Sequence, residues 1–375
     1  MSARPYVELA VQAGYEVAAI DGFADVQTRA LCRDWMTVPF DARGFEAAAL
    51  IQALQQFDMA KFDGFVCGSG FESQPELLHQ IQTWIPVLGN DAATVASVKT
   101  PKVFFAALEQ FGILFPDWYC ARPEMLQDVL LKNAGGSGGM HIQHAQTASH
   151  DLDSASYFQR KIEGESVSVL FVANGQTIDE IGFNLQWLSA TEHTPFRFGG
   201  VAGNADLSEA VKSKLRYAAE TLTRHFGLLG LNSLDAMVSV SGGMEQVWVL
   251  ELNPRMSASV DAYVEQYPDM FERHILSCHD LSASEKTLKI LPFKAHGSCA
   301  FTVVYADVDL NIPAGFVWPA WVKDNPSLGS QSFEIKEGDP VCTVHAEAEN
   351  AEEAKKMAQQ RAVAILELLK QQHLF

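Results

Sequence analysis

The chain has 375 residues, of which 48% are apolar, and this length supports a sizeable core and two or three domains. Its formal net charge of −19 argues against a nucleic-acid backbone or an anionic membrane surface as the main partner. Nucleotides are not excluded, because a nucleotide needs only a local basic pocket. No apolar run approaches the roughly 20 residues that span a bilayer.

The six cysteines are scattered along the chain and form no CxxC pair. This usage is typical of reduced thiols and not of a disulfide framework or a zinc site. The first residues also lack the pattern of a signal peptide, so we expect a cytoplasmic protein.

Residues 1–97 alternate helical and strand signals, which predicts an α/β domain with a parallel sheet. A doubly wound domain should open with a strand, yet this chain opens with a loop and a helix. Either the first strand comes from elsewhere than the start of this chain, or the natural start lies upstream of Met1. The expected elements are helices over 6–13 and 45–57 and strands over 16–20 and 64–67.

Residues 98–285 contain most of the polar motifs, between elements that the periodicity predicts clearly. We expect a small lid subdomain over about 126–172, joined to a larger sheet by two crossings. The predicted helices are 101–111 and 207–226, the latter ended by Gly227, and the predicted strands are 129–132, 157–162, 166–172 and 232–240.

The glycine loop, residues 135–139, contains four glycines and lies between two predicted strands. Such a loop can place backbone N–H groups around phosphates without Cβ clashes, although a mobile surface hairpin has the same composition. Lys132 ends the preceding strand, where its ammonium group can reach a nucleotide phosphate.

A buried strand over 247–250 runs directly into Glu251-Leu252-Asn253-Pro254-Arg255. Alternation along the strand puts Glu251 and Asn253 on one face, and two oxygen ligands on one face suit Mg²⁺. Arg255 follows, where its guanidinium can bind a phosphate or a carboxylate. A structural polar pair at a strand end would give the same pattern.

In chain order, these motifs resemble the ATP-grasp superfamily over essentially the whole chain. The resemblance implies an α/β fold with an N-terminal Rossmann-like pre-ATP-grasp domain over 1–97. The ATP-grasp domain, with its α+β lid, would cover 98–285, and a β-rich extension with a terminal helix would cover 286–375.

The resemblance also implies ATP and Mg²⁺, or Mn²⁺, as cofactors. Two lysines and the glycine loop would hold the phosphates, one residue would meet the adenine edge, and one carboxylate would take the ribose hydroxyls. In that order these residues are Lys102 and Lys132, then Gly135, Gly136, Gly138 and Gly139, then Gln159, then Glu165.

The metal ligands implied by the resemblance are Asp235, Glu251 and Asn253, and Arg255 would steady the transferred phosphoryl group. One departure concerns the first lysine, which fits Lys102 by a one-residue slip and has Lys99 as the alternative. A second is that residues 256–259 read Met-Ser-Ala-Ser, not the Gln-Val-Glu-His of bicarbonate-using carboxylases.

More closely, the chain is similar to carboligases related to biotin carboxylase, which resemble the archaeal tyramine–glutamate ligase. The segments that carry this similarity include 21–25, 68–72, 198–200, 253–259 and 338–344. It implies an ATP-dependent carboxylate–amine ligase acting through an acyl phosphate, with an amino acid such as glutamate, in methylofuran-linked one-carbon cofactor synthesis.

The implied partners are a small carboxylate and a small amine, without nucleic acid or membrane, and a homodimer is compatible with the resemblance. An ATP-grasp kinase, a carboxylase and a non-catalytic ATP-binding regulator are the alternatives. Two further residues have open interpretations: Glu72 either faces a substrate or does not, and Arg197 either binds a carboxylate or belongs to a plain turn.

Overall fold

The computed structural model describes residues 2–23, 25–41, 43–148, 152–279, 297–326 and 332–372, apart from the side chain of residue 372. Helices and strands alternate at first, and long strands dominate from residue 156 onward. The helices are α1 (Arg4–Gln12), α2 (Val26–Leu31), α3 (Ala47–Leu54), α4 (Pro75–Gln82), α5 (Ala92–Lys99), α6 (Pro101–Gln110), α7 (Glu209–Phe226), α8 (Met270–Cys278) and α9 (Ala351–Gln372), with 3₁₀ turns at Met59–Lys61 and Ala258–Ala262.

The strands fall into one large sheet and several small ones. In chain order they are β1 (Ala18–Asp21), β2 (Asp34–Thr37), β3 (Phe40–Asp41), β4 (Gly44–Phe45), β5 (Trp118–Tyr119), β6 (Val129–Asn133), β7 (Gln143–His144), β8 (Ser156–Arg160), β9 (Glu165–Asn174), β10 (Ile178–Leu188), β11 (Phe198–Ala202), β12 (Leu229–Ser241), β13 (Met244–Asn253), β14 (Ser298–Tyr305), β15 (Leu310–Ile312), β16 (Val322–Lys323), β17 (Phe333–Ile335) and β18 (Pro340–Ala348).

The central sheet has eight antiparallel strands in the order β13-β12-β9-β10-β11-β14-β18-β16. It therefore runs without a break from the polar β12–β13 hairpin into the C-terminal segment. Helix α7 covers one face, where Val211, Leu215, Ala218 and Leu222 are buried at helical spacing. Gly227 ends this helix in the left-handed conformation, as the sequence predicts.

The N-terminal part has a parallel β1–β2 pair, and the strand predicted over 64–67 is reduced to a single parallel bridge between Phe65 and Val87. The Phe65 N–H donates to the carbonyl of Pro86, and the Leu88 N–H donates to the carbonyl of Phe65. Pro86 has no N–H, so the ladder cannot extend one step backward. The prediction of a regular strand is therefore wrong.

A separate four-stranded sheet, ordered β5-β8-β6-β7, packs around the buried side chains of Leu131 and Phe158. We call it the lid sheet; its strands span residues 118–160. The strand predicted over 166–172 lies instead in the centre of the large sheet as β9, because its side chains are buried on both faces. The division of the chain at 97 and 285 stays a prediction.

Within the described ranges, no helix is both long and apolar enough to cross a membrane. The terminal helix α9 packs on β14 and β18, where Ala354, Ala358 and Ile365 are buried. The terminal helix expected within 286–375 is therefore confirmed, over Ala351–Gln372.

Asn90 fixes the N-terminal part to the polar end of the central sheet. Its side-chain nitrogen lies 3.1 Å from the carbonyl of Leu229, 3.0 Å from that of Pro254 and 2.8 Å from Asn232 Oδ1. Its side-chain oxygen accepts from the Leu229 N–H at 2.8 Å. Because Asn90 is 5% exposed, water cannot replace these bonds without rearrangement.

We expect Asn90→Ala to lower the free energy of unfolding by about 2–4 kcal/mol, because it leaves at least two buried backbone groups unsatisfied. Denaturant unfolding measures the change. Asn174→Ala is the control, because Asn174 accepts its hydrogen bonds in an exposed turn. This substitution should lower the free energy of unfolding by less than about 1 kcal/mol. Equal losses in the two variants would contradict this account.

Candidate active site

The hairpin of β12 and β13 brings the predicted metal ligands together. Its turn contains Gly242 and Gly243, both with positive φ, and its register sets Asp235 opposite Glu251 and Ser233 opposite Asn253. A bulge after Asp235 interrupts the ladder at the site. The Asn253 amide donates to Asp235 Oδ2 at 2.8 Å, which links the two strands through their side chains.

Lys99, the last residue of α5, reaches this hairpin from the N-terminal side. Its ammonium group donates to Glu251 Oε1 and to Asn253 Oδ1, the latter at 3.1 Å. Only 7% of the Lys99 side chain is exposed. A single cation is therefore already bound between two oxygens of the predicted metal set.

The two carboxylates of the hairpin differ strongly in acidity. Burial and the charge of Glu251 raise the pKa of Asp235 to about 6. Burial also acts on Glu251, but the ammonium group of Lys99 outweighs it and lowers the pKa of Glu251 to about 2. The pair thus attracts cations at neutral pH, where both groups are ionised.

These residues fit a magnesium ion by the chemistry of their donors: two carboxylates and an amide oxygen, with no sulfur or imidazole. In the described part of the chain, no cluster of three or more His, Cys, Asp or Glu side chains could hold a metal. A metal at this site would therefore rely on Asp235, Glu251 and the amide of Asn253, with further oxygens from substrate or water.

Arg255 is paired with Glu72, a contact that no local pattern in the sequence indicates. Arg255 Nε donates to Glu72 Oε1 at 2.5 Å, and the Gly70 N–H donates to Glu72 Oε2 at 2.7 Å. Burial opposes ionisation of Glu72, but Arg255 and Lys99 hold its pKa below the usual range. Glu72 thus fixes the arginine that borders the hairpin, Arg255 Nη2 lying 3.4 Å from Asn253 Oδ1.

The glycine loop lies against two other segments of the chain. A Cβ at Gly135 would clash with the backbone of Glu72 and Ser73, and one at Gly139 would clash with the carbonyl of Phe196. The Phe198 N–H donates to the carbonyl of Gly138 at 2.9 Å. The glycines at 135 and 139 are therefore required both by positive φ and by close packing.

Lys132 and His141 lie under this loop, in a small cavity lined also by Lys99, Tyr157 and Glu251. Burial lowers the pKa of Lys132, and the charges of Glu251 and Asp235 offset part of that effect. Burial likewise lowers the pKa of His141 to about 4, so its ring is neutral at pH 7. Gly136 leaves space for this ring, because a Cβ at that position would clash with it.

Gln159 on β8 is 1% exposed, and its side-chain Nε2 has no hydrogen-bond partner among the described residues. A buried donor without a partner is costly and indicates a site for an acceptor, such as a ring nitrogen of a base. Glu165, at the start of β9, is exposed, so its carboxylate lies in solvent and gives no such indication of a ligand.

The comparisons with known proteins agree with this architecture. The model of the ATP-grasp domain family (ATP-grasp_3) matches residues 102–259. The chain has an ATP-grasp fold. No curated protein matches the sequence.

Among the solved structures similar to the chain are biotin carboxylases and larger carboxylases. A Campylobacter jejuni biotin carboxylase in complex with βγ-ATP gives a TM-score of 0.68 at 13% identity, over 93% of this chain and 86% of that one. The biotin carboxylase domain dimer of Hydrogenobacter thermophilus 2-oxoglutarate carboxylase, with MgADP, ADP and bicarbonate, gives 0.68 at 9% identity over 94% and 85%.

A Rhizobium etli pyruvate carboxylase variant with acetyl coenzyme A gives a TM-score of 0.71 at 16% identity over 96% of this chain. This chain spans only 36% of that protein. At these identities the similarity establishes the ATP-grasp fold and nothing finer.

The two candidates for the first nucleotide lysine, Lys102 and Lys99, lie in different surroundings. Lys102 is exposed in the first turn of α6, and in the described ranges no hydrogen bond or ion pair joins it to the hairpin. Lys99, the alternative, contacts Glu251 and Asn253. The break at Thr100-Pro101 ends α5 and starts α6, and this change of direction separates the two side chains.

We expect Lys99→Met to lower ATP turnover by roughly 100-fold, as loss of a positioned cation typically does. Lys102→Met, the matched control, should leave turnover close to that of the natural protein. Steady-state ADP release at saturating Mg-ATP measures both. A large loss in the Lys102 variant with a small one in the Lys99 variant would instead favour Lys102.

The raised pKa of Asp235 predicts a pH-dependent stability difference in the metal-free protein. The folded form binds this proton more tightly than the unfolded chain, so the ionised carboxylate costs stability above its unfolded pKa. Asparagine does not ionise. The unfolding free energy of Asp235→Asn minus that of the natural protein should therefore increase by about 2 kcal/mol from pH 4 to pH 7. Urea unfolding in EDTA measures this difference at each pH, and a flat difference would contradict the account.

Proposed function

We propose that the protein is an ATP-dependent carboxylate–amine ligase that forms an amide and releases ADP and phosphate. The observation that carries the proposal is the oxygen set of Asp235, Glu251 and Asn253, held beside Lys99 and Arg255. Phosphoryl transfer depends mostly on positioning and charge neutralisation, and this arrangement supplies both.

ATP is the first substrate in this proposal. Lys132 and the backbone of the glycine loop bind its phosphates, with Lys99 as the second lysine in place of Lys102. The unpartnered amide of Gln159 supports an adenine site on β8. Glu165 remains the proposed ribose carboxylate by resemblance alone, since its exposure neither favours nor opposes that role.

Asp235, Glu251 and Asn253 would hold Mg²⁺ or Mn²⁺, which when bound neutralises charge on the phosphates. A carboxylate oxygen of the acid forms a bond to the γ-phosphorus, and the bond from that phosphorus to ADP breaks. Arg255, oriented by Glu72, binds the resulting acyl phosphate. The amine nitrogen then attacks the acyl carbon, phosphate leaves with the electron pair of the broken C–O bond, and the nitrogen loses a proton to give the neutral amide.

The segment after Arg255 supports a ligase over a carboxylase. Met256, Ser257 and Ser259 are buried, and the hydroxyl groups of the two serines lie 2.6 Å apart in a hydrogen bond to each other. This segment contains no acid that could activate bicarbonate. A carboxylase, a kinase and a non-catalytic ATP-binding regulator remain the alternatives that the experiment below must separate.

The finer assignment rests on sequence resemblance. We propose glutamate or a similar amino acid as the acid, and a role in methylofuran-linked one-carbon cofactor synthesis, from the resemblance to tyramine–glutamate ligases. A cytoplasmic location and a homodimer belong to the same proposal, as does the absence of nucleic-acid and membrane partners.

A screen for ADP release, with amino acids as acids and small amines as acceptors, tests the function directly. We expect ADP formation to require both partners and the product mass to equal that of their amide. ADP release with the acid alone and a stable phosphorylated product would indicate a kinase. Stimulation by bicarbonate would indicate a carboxylase, and no turnover with tight ATP binding would indicate a regulator.

Glu251→Gln should lower this turnover by about 100-fold or more, because it removes a charge that positions the phosphates. Glu334→Gln, an exposed residue on β17, is the control and should behave as the natural protein does. Circular dichroism verifies that both variants fold. Near-normal turnover of the Glu251 variant would show that the metal set is wrongly assigned.

A further inference from the structure

Arg197 is a buried arginine whose charge has no carboxylate partner in the described ranges. The residue is 6% exposed, and its guanidinium carbon lies 3.7 Å from the centre of the Tyr305 ring. Nε donates to the carbonyl of Ser189 at 3.0 Å, and Nη1 donates to the carbonyl of Gly338 at 3.2 Å. Nη2 lies 3.5 Å from the hydroxyl of Ser189. Every one of these partners is neutral.

The other buried arginines of the described chain are paired with acids. Arg4 contacts Asp261 and Asp324, Arg273 contacts Asp179 and Asp269, and Arg255 contacts Glu72. These pairs follow the rule that a buried charge needs a counter-charge. Arg197 departs from this rule, although only 6% of its surface is exposed.

Burial without a counter-charge disfavours the protonated guanidinium of Arg197. Burial lowers the pKa of Arg197, and the ring of Tyr305 offsets part of that effect. An arginine nevertheless keeps its proton in proteins, so the positive charge remains. Of the five N–H groups of the guanidinium, three are directed at the neutral partners, and two remain for an anion.

Arg197 also lies next to the glycine loop. Its neighbour Phe196 places its carbonyl against Gly139, and its other neighbour, Phe198, donates its N–H to the carbonyl of Gly138. The arginine is thus positioned where the loop over the nucleotide phosphates meets the C-terminal segment that contains Tyr305 and Gly338.

We propose that Arg197 binds a second, non-reacting carboxylate of the acid substrate, which is therefore a dicarboxylic acid or an amino dicarboxylic acid. The proposal rests on the ligase function above and specifies its substrate class. Arg255 already has a counter-charge in Glu72 and borders the proposed metal ligands, so we assign it to the reacting carboxylate and not to the second one. Arg197, which has no carboxylate partner in the described ranges, is assigned to the second carboxylate.

Calorimetry in the presence of Mg²⁺ and a non-hydrolysable ATP analogue tests the proposal with two pairs of probes. Glutarate is compared with pentanoate, and L-glutamate with 4-aminobutyrate, so that each pair differs by one carboxylate. In at least one pair, the natural protein should bind the dicarboxylate tenfold or more tightly. Arg197→Gln should abolish that preference while binding the nucleotide normally, and Arg197→Lys should retain part of it.

Arg216→Gln is the matched control, because Arg216 also lies over an aromatic ring, that of Phe183, but is paired with Glu180. It should keep the full preference. If the natural protein binds both members of each pair equally, the proposal is overturned, whether or not the Arg197→Gln variant folds. If that variant folds and keeps the preference unchanged, the proposal is also overturned. Failure of the natural protein to bind the Mg–nucleotide overturns the ligase function itself, and the substrate assignment with it.

Discussion

The contact between the Lys99 ammonium and the Glu251 carboxylate is the interaction on which the site depends. The β12–β13 register forces two carboxylates to face each other, and without a cation their repulsion would favour protonation of one or both. Lys99 keeps Glu251 ionised with a pKa of about 2. Burial and the charge of Glu251 raise the pKa of Asp235 to about 6. The hairpin is therefore charged at neutral pH and can attract a divalent cation.

The N-terminal part of the chain is integral to this site. Lys99 holds Glu251, Glu72 holds Arg255, and Asn90 holds the carbonyl of Pro254. Three residues from before position 100 thus fix the strand end at 251–255. A displacement of this N-terminal part would therefore alter the positions of Arg255 and of the candidate metal ligands together.

The sequence predicts a helix or strand well where apolar residues recur along one face of the element. It predicts poorly the contacts between segments that are distant in the chain. Helix α7 and the β12–β13 hairpin follow from their apolar periods and the Gly242-Gly243 turn. The Glu72–Arg255 pair joins residues 183 positions apart, and no local pattern reports it. The choice between Lys99 and Lys102 depends on the helix break at Pro101, which sets the direction of each side chain and cannot be derived from the spacing of lysines.

The transfer of oxygen from the acid to phosphate tests the central claim most directly. The acid that supports ADP release is labelled with ¹⁸O in its carboxylate, and the phosphate released during amide formation is analysed by mass spectrometry. An acyl-phosphate ligase should place one ¹⁸O atom from the acid in each phosphate, because the carboxylate oxygen stays on phosphorus when the amine attacks the acyl carbon. Phosphate without label would contradict an acyl phosphate and, with it, the proposed role of the hairpin and Arg255.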